Sequence, residues 1–368
     1  MSFKNVFNVL IIGQIPPPYH GQSVMIKKIL EAEHSEISMN FIRMDYSTEI
    51  DKVGKFDLRK ITKLFQLIYK AKALIKKQNI DAIYYPPAGT GLIPITRDII
   101  TLLFLRNKEI KLIFHFHAMG LKSVYQKAKP ILKFFMNKAY LYPELCICIS
   151  EFNKEEIQFL YPKKVAVVNY GSGLVPLESI KKNNENVTIL FTGNIILSKG
   201  ILILLNVAEK LHAKGYKIKI NFMGGMTSQD IEKQVLNHVS VKKNIANFIG
   251  VQTGKKKMKT FQEADIFCFP TFYENENFPV VIIEAMQAGL PIISSRWRGI
   301  PSMIQNGVNG FLISPRSEEE LEDKIELLLD TPKLRAHMGA KSREIYKEKF
   351  TEKVYQKNIC NAILQAQE

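Results

Sequence analysis

The sequence predicts an α/β protein built from two doubly wound parallel-sheet domains, on three observations. Short β-branched or aromatic runs alternate with longer stretches whose apolar residues recur near every 3.6 positions, the pattern of strand–helix–strand units. The alternation restarts once, beyond a polar stretch at 171–186 that carries Gly171, Gly173 and Pro176. A chain of 368 residues has the length of two ordinary domains rather than one. The first series of strand-like runs lies at 8–13, 82–85, 112–116, 145–149 and 165–169, the second at 187–192, 218–223, 246–249, 266–270 and 291–294. The domains are therefore expected at 1–172 and 173–350. In open sheets of this kind ligands bind beyond the carboxyl ends of the strands, so facing domains would place the site in the cleft between them.

Composition excludes several classes. Hydrophobic residues at 46% and charged residues at 23% are near the globular average, against long disorder or fibrous repeats. No uncharged apolar stretch reaches the roughly 18–20 residues of a bilayer span, and the run 82–96 is broken by Pro86, Pro87 and Pro94. The start, MSFKNVFNVLII, runs into a strand without a small-residue cleavage site, so a soluble cytoplasmic protein is expected. Cys146, Cys148, Cys268 and Cys360 lie in apolar segments without metal-ligand spacing. They read as buried free thiols of a reducing compartment, and no metal or other cofactor is expected.

The charge is less ordinary. There are 51 Lys and Arg against 35 Asp and Glu, a formal +16, and residues 1–172 contribute 25 basic and 14 acidic side chains, a net of +11. The excess is densest at 52–77 and 122–138, where Lys alternates with Leu, Ile, Phe and Tyr. This balance suits nucleic acid, an anionic membrane or a phosphorylated ligand, and equally a set of solvated helix faces. No nucleic-acid-binding signature accompanies it, and no nucleic-acid partner is expected.

The richest segment runs from Pro270 to Ile293, TFYENENFPVVIIEAMQAGLPII after the proline. A strand ends in a polar loop, and a helix is expected to start at Pro279, whose missing N–H costs nothing in a first turn. Glu276 then lies at the helix mouth and Glu284 about 7–8 Å further along. Two carboxylates so spaced can hold hydroxyls on different parts of one polar ligand, while the helix mouth attracts phosphate. A surface Glu pair without a role has the same spacing.

Context decides between them. ENFPVVIIEAMQAGLPII, followed by NGVNGFLISP at 306–315, resembles the retaining, metal-independent glycosyltransferases of the GT-B fold, specifically the group-one (family four) set. That family's signature is a Glu–seven residues–Glu pair that begins E-G-F-G and ends E-A-M-A-x-G-x-P. The resemblance implies an acceptor-binding domain at 1–172, a nucleotide-sugar-binding domain at 173–350, and a helix at 351–368 that crosses back to the first domain. It also implies a sugar donor carried on a nucleoside diphosphate, UDP or GDP, and a glycan or lipid-linked acceptor, as in cell-surface polysaccharide or glycolipid synthesis.

Site residues follow by motif. NVTILFTGNIILSKG at 186–200 is similar to the family's strand followed by Gly-Arg-x4-Lys-Gly, whose Arg and Lys clamp the donor diphosphate. Gly193, Lys199 and Gly200 match, but Asn194 stands where the Arg is usual, which shifts leaving-group stabilisation onto Lys199. Glu276 is implied at the sugar hydroxyls and Glu284 at the ribose diol, with Asn277 and Phe278 beside them. Gly225 follows a strand in the expected place, and Val251 matches a position that reads the base through its backbone. In IIGQIPPPYHGQSVM at 11–25, Gly21 opens a helix toward the phosphates, and His20 is either an acceptor-site group or a loop residue. His117, in HFHAMG at 115–120, matches a histidine near the donor sugar's primary hydroxyl, while His115 faces the same side of its strand and reads as core. Arg296, Trp297 and Arg298 replace a run usually rich in small residues.

Lys199, Glu276 and His117 are thus the expected catalytic residues. A nucleotide-sugar epimerase of the same architecture, or a non-catalytic basic binding protein, is the alternative. Residues 58–78 also space Leu58, Ile61, Leu64, Phe65, Ile68 and Ala71 at helical intervals among lysines. That stripe either packs on the first sheet or, with 121–140, touches an anionic membrane at its inner face.

Overall fold

Two six-stranded parallel sheets, each clothed by helices, organise the chain. The computed structural model describes residues 6–17, 21–44, 58–173, 186–242 and 245–367. His20, most of the stretch 171–186 and the start of the basic segment 52–77 lie outside them. The chain divides into one unit of Met1–Tyr170 with Glu352–Glu368, and a second of Gly171–Thr351.

In the first unit the strands are β1 (Phe7–Gly13), β2 (Ile37–Arg43), β3 (Ala82–Tyr85), β4 (Lys111–Phe116), β5 (Leu145–Cys148) and β6 (Lys164–Val167), in the order β2-β1-β3-β4-β5-β6. Their helices are α1 (Gly21–Leu30), α2 (Leu58–Gln78), α3 (Leu92–Leu105), α4 (Leu121–Lys127), α5 (Pro130–Tyr140) and the single turn α6 (Lys154–Ile157). In the second unit β7 (Val187–Thr192), β8 (Ile218–Met223), β9 (Ala246–Gly250), β10 (Ile266–Phe269), β11 (Ile292–Ser295) and β12 (Gly310–Ile313) lie in the order β12-β11-β10-β7-β8-β9. Here the helices are α7 (Ile201–Ala213), α8 (Gln229–Leu236), α9 (Val239–Lys242), α10 (Gly254–Glu263), α11 (Val280–Ala288), α12 (Glu318–Asp330) and α13 (Pro332–Ile345). The last helix, α14 (Glu352–Gln365), belongs to the first unit. There Glu352 meets Lys28 of α1 at 2.6 Å, and Lys111 and Lys164 donate to the carbonyls of Gln367 and Gln365.

Central strands such as β3, β5 and β10 are buried along their whole length, as parallel strands covered on both faces must be. The sequence reading missed β2 and β12. Edge strand β2 buries only Ile37 and Ile42 and carries Ser38 and Asn40 between them, so its apolar run is too thin to register. The helix expected from Pro279 begins one residue later, because Pro279 has an extended ψ of 112° and caps α11. Pro130 does divide 121–140, taking the first position of α5.

The stripe on α2 splits. Leu64, Leu67, Ile68 and Ala71 are buried in the first unit's core, whereas Ile61 and Phe65 stay exposed. All four cysteines are buried and free, and burial pushes the Cys148 thiol up to about 12. Among the described residues no helix is long and apolar enough to cross a membrane.

His115, on β4, is fully buried and shares a hydrogen bond between its Nδ1 and the Tyr84 hydroxyl. Burial pushes its pKa down to about 3, so the imidazole is neutral in the folded chain and takes a proton near 6.5 only when unfolded. Its contribution to stability is whole above about pH 6.5 and is lost as pH falls toward 3. In urea titrations between pH 6.5 and 4, His115→Gln should show a shallower acid slope than the parent. The difference should approach 1.4 kcal/mol per pH unit, one proton's worth. Identical slopes would show that His115 is not held neutral.

Candidate functional site

The order of the second sheet reverses at β7. Its chain neighbour β8 lies on one side and β10 on the other, so the loops after β7 and β10 diverge at a topological switch point, where open parallel sheets bind ligands. Both loops carry the residues that the sequence singles out.

After β7 the backbone turns at Gly193 and forms a short 3₁₀ turn, Leu197–Lys199, before Gly200 and α7. Gly200 has φ +82°, and a Cβ there would collide with the carbonyl of Pro270. Only glycine lets the two loops approach this closely. The Phe272 N–H donates to the Ser198 carbonyl at 2.8 Å and locks the approach. Lys199 is thereby delivered to the loop after β10, where its Nζ stands 3.2 Å from Glu276 Oε2. The ammonium also lies 5.4 Å from the ring of Phe269 and 5.6 Å from that of Tyr273. Both side chains of the pair are mostly buried, so two charges are held in place at the switch point.

Gly193 (φ +144°) and Gly224 are pressed together: a Cβ on Gly224 would overlap the Gly193 carbonyl. The N–H of Ile195 donates to the Gly225 carbonyl, continuing the strand pairing into the loops. Gly225 in turn lies beside Val251, which is 69% exposed just beyond β9. Asn194 is exposed.

Glu284 sits in the second turn of α11, 5% exposed, and its Oε1 receives the Lys257 ammonium of α10 at 2.6 Å. Sequence reasoning missed Lys257. It belongs to the run Lys255–Lys256–Lys257, which looks like any solvated lysine cluster, and only the packing of α10 against α11 selects one of the three. Asn277 and Phe278 are both buried, with Phe278 against the ring of Phe350 at 6.0 Å. Trp297 donates its Nε1–H to the Tyr273 carbonyl at 2.8 Å, so the loop after β11 braces the one that carries Glu276.

His117 and Gly21 belong to the first unit. The imidazole Nδ1 of His117 is 2.6 Å from the Tyr170 hydroxyl and its ring lies 4.0 Å from that of His115. Gly21 opens α1, with open space where a Cβ would stand. Structure thus brings Lys199, Gly193, Glu276, Asn277 and Phe278 to one sheet edge, and pairs Glu284 with a lysine that no motif named.

Removing that lysine should expose its role. Lys257→Met leaves the buried Glu284 carboxylate without its ammonium, and should cost about 1–3 kcal/mol by chemical denaturation. Lys255→Met and Lys256→Met should stay within about 0.5 kcal/mol of the parent. Equal effects at the three lysines would show that the pair does not stabilise the fold.

Comparison with known proteins agrees with this geometry. Residues 177–345 match the family described as glycosyl transferases group 1. The capsular polysaccharide biosynthesis glycosyltransferase CapM of Staphylococcus aureus is 23% identical over 381 aligned positions, covering 96% of this chain and 95% of the relative. HepE of Anabaena, solved in complex with UDP, aligns at a TM-score of 0.70 with 16% identity over 97% of this chain and 100% of that one. Sucrose-phosphate synthase from Thermosynechococcus elongatus aligns at 0.73 with 15% identity over 98% of both. With the paired parallel sheets and the charged switch point, these similarities show that residues 177–345 resemble the group 1 glycosyl transferases and that the whole chain shares the two-sheet GT-B fold of these solved structures.

Proposed function

We propose that the enzyme transfers a sugar from a nucleoside diphosphate to an acceptor hydroxyl with retention at the anomeric carbon, in the assembly of a surface polysaccharide or glycolipid. The observation that carries this reading is the Lys199–Glu276 pair at the β7/β10 switch point. A mostly buried ammonium there meets the charge that develops on a departing diphosphate, in surroundings where such stabilisation is strong. In this reading that charge is met by Lys199 rather than by a divalent metal. Glu276, released from Lys199 when the diphosphate takes it, is free to accept hydroxyls of the sugar.

Retaining glycosidases use a carboxylate nucleophile about 5–5.5 Å from a second carboxyl group. The resemblance points instead to same-face attack, with the leaving phosphate taking the acceptor's proton. Glu284 is assigned the ribose diol, Val251 the base, and Gly193, Gly225 and Phe278 backbone contacts to the donor. The roles of His117 at the sugar's primary hydroxyl and of Gly21 at the phosphates rest on the resemblance alone. UDP-sugars are the first donors to test, since the similarly folded HepE was solved with UDP and with UDP-glucose.

Lys199→Ala should lower kcat by at least about 10²-fold, the loss seen when one transition-state charge stabiliser is removed. Asn194→Arg, which restores the family's second cation, should keep or raise turnover. Near-normal turnover in Lys199→Ala would place the diphosphate clamp elsewhere.

A second feature bears on the acceptor. Helix α3 packs against both α2 and α5, and the outer faces of these helices expose apolar side chains: Phe65, Tyr69, Phe104, Ile131 and Phe134. Phe65 and Phe104 meet edge to face at 6.1 Å. Lys72 lies over Phe104 at 5.1 Å and Lys138 over Phe134 at 4.6 Å. Aromatic rings ringed by lysines suit the headgroup region of an anionic bilayer, where each Lys contributes about 1 kcal/mol. A lipid-linked acceptor fits such a surface. Co-sedimentation with phosphatidylserine vesicles should capture the protein at low salt, less at high salt, and less for Phe65→Ser with Phe134→Ser. Recovery in the supernatant throughout would favour a soluble acceptor.

A further inference from the structure

Among the described residues, Asn277 is a buried asparagine with both ends of its carboxamide unpaired. It is 6% exposed, yet neither its Oδ1 nor its Nδ2 has a hydrogen-bond partner, and both atoms are withdrawn from solvent. Buried Asn153 and Asn309 and half-buried Asn169 each have at least one side-chain bond to their surroundings. Asn309 accepts from the Gln305 N–H at 2.8 Å, Asn153 shares a bond with the Ser150 hydroxyl, and Asn169 donates to the Ile149 carbonyl. A carboxamide left unpaired is a cost that most folds avoid, and one that persists calls for a partner supplied from outside.

Its position says which partner. Asn277 lies between Glu276, which is paired with Lys199, and Phe278, at the mouth of α11. It also stands where the signature of the resembled family, E-G-F-G, has its first glycine, so the amide departs from that motif. We propose that Asn277 is a specificity-determining residue whose carboxamide reads one edge of the donor sugar. The inference rests on the donor-site reading above and goes beyond it. A primary amide offers a donor and an acceptor side by side, and its complement is a sugar edge that presents the same pair. Two vicinal hydroxyls do so, and so does an acetamido group. The loop 271–279 is pinned at Phe272 and Tyr273, and Asn277 lies beyond these anchors, in the part that a donor sugar at the mouth of α11 would meet.

The test is calorimetric binding of UDP, UDP-glucose, UDP-galactose and UDP-N-acetylglucosamine (and the GDP series if UDP does not bind) to the full chain. The parent would be compared with Asn277→Gly and Asn277→Ala. Both variants should bind the bare nucleotide within about twofold of the parent. Affinity for the preferred sugar nucleotide should fall about tenfold, the worth of about 1.4 kcal/mol, and discrimination among sugars should narrow. A loss confined to the acetamido sugar identifies that group, and a loss shared by the others identifies the hydroxyls. Without ligand, the melting temperatures should be unchanged or higher, because an unpaired buried amide has been removed. A structural asparagine would lower them. Unaltered sugar preference with intact nucleotide binding would overturn the assignment to Asn277 alone. Failure of the parent to bind any nucleotide or sugar nucleotide would overturn the donor site itself.

Discussion

The contact on which the candidate site depends is the approach of the β7 loop to the β10 loop at Gly200 and Pro270. Parallel strands at a switch point send their loops apart, and side chains on the two loops meet only if something draws the backbones back together. Here the missing Cβ of Gly200 and the Phe272–Ser198 hydrogen bond do so. Lys199 and Glu276, 77 residues apart in sequence, are then held 3.2 Å apart. Gly224 has the same effect at the neighbouring strand, where the loops after β7 and β8 touch. The charges are conspicuous, but the glycines place them.

Packing around this contact is aromatic. Phe191, Phe222 and Phe269 lie ring to ring beneath the strand ends at 5.4–5.5 Å. Phe269 belongs both to this core and to the cradle of Lys199. Its backbone carbonyl accepts from the Ser294 hydroxyl at 2.6 Å. The cation therefore rests on the rigid body of the sheet rather than on the tip of a loop. Such footing lets a charged group act without reorganising at the moment of reaction.

Much of the fold is legible in the sequence because buried parallel strands are nearly pure apolar runs, and the ranges 82–85, 187–192 and 218–223 coincide with the strands seen. Edge strands are not legible in the same way. β2 is polar at alternate positions, and β12 hides within a motif whose glycine must let the Ile292 carbonyl come close. The motif residues Lys199 and Glu276 could be found because each lies in the loop after a strand, within a segment that resembles a family motif. Lys257 and Tyr170 could not, since their importance comes from which neighbour they touch across the fold. The stripe on α2 shows the limit of periodicity: it marks the face that packs inward, but not that a second apolar face, led by Phe65 and Tyr69, remains outside.

The two lysine–glutamate pairs give the site a property that its net charge conceals. At the candidate site Lys199 and Lys257 already have counter-ions, Glu276 and Glu284. A ligand entering there exchanges one partner for another instead of neutralising bare charge. Few bulk ions are released in such an exchange, so recognition at this site leans little on ionic strength. The protein's surplus of positive charge, most of it on the first unit, is thus left to act on whatever lies outside the site.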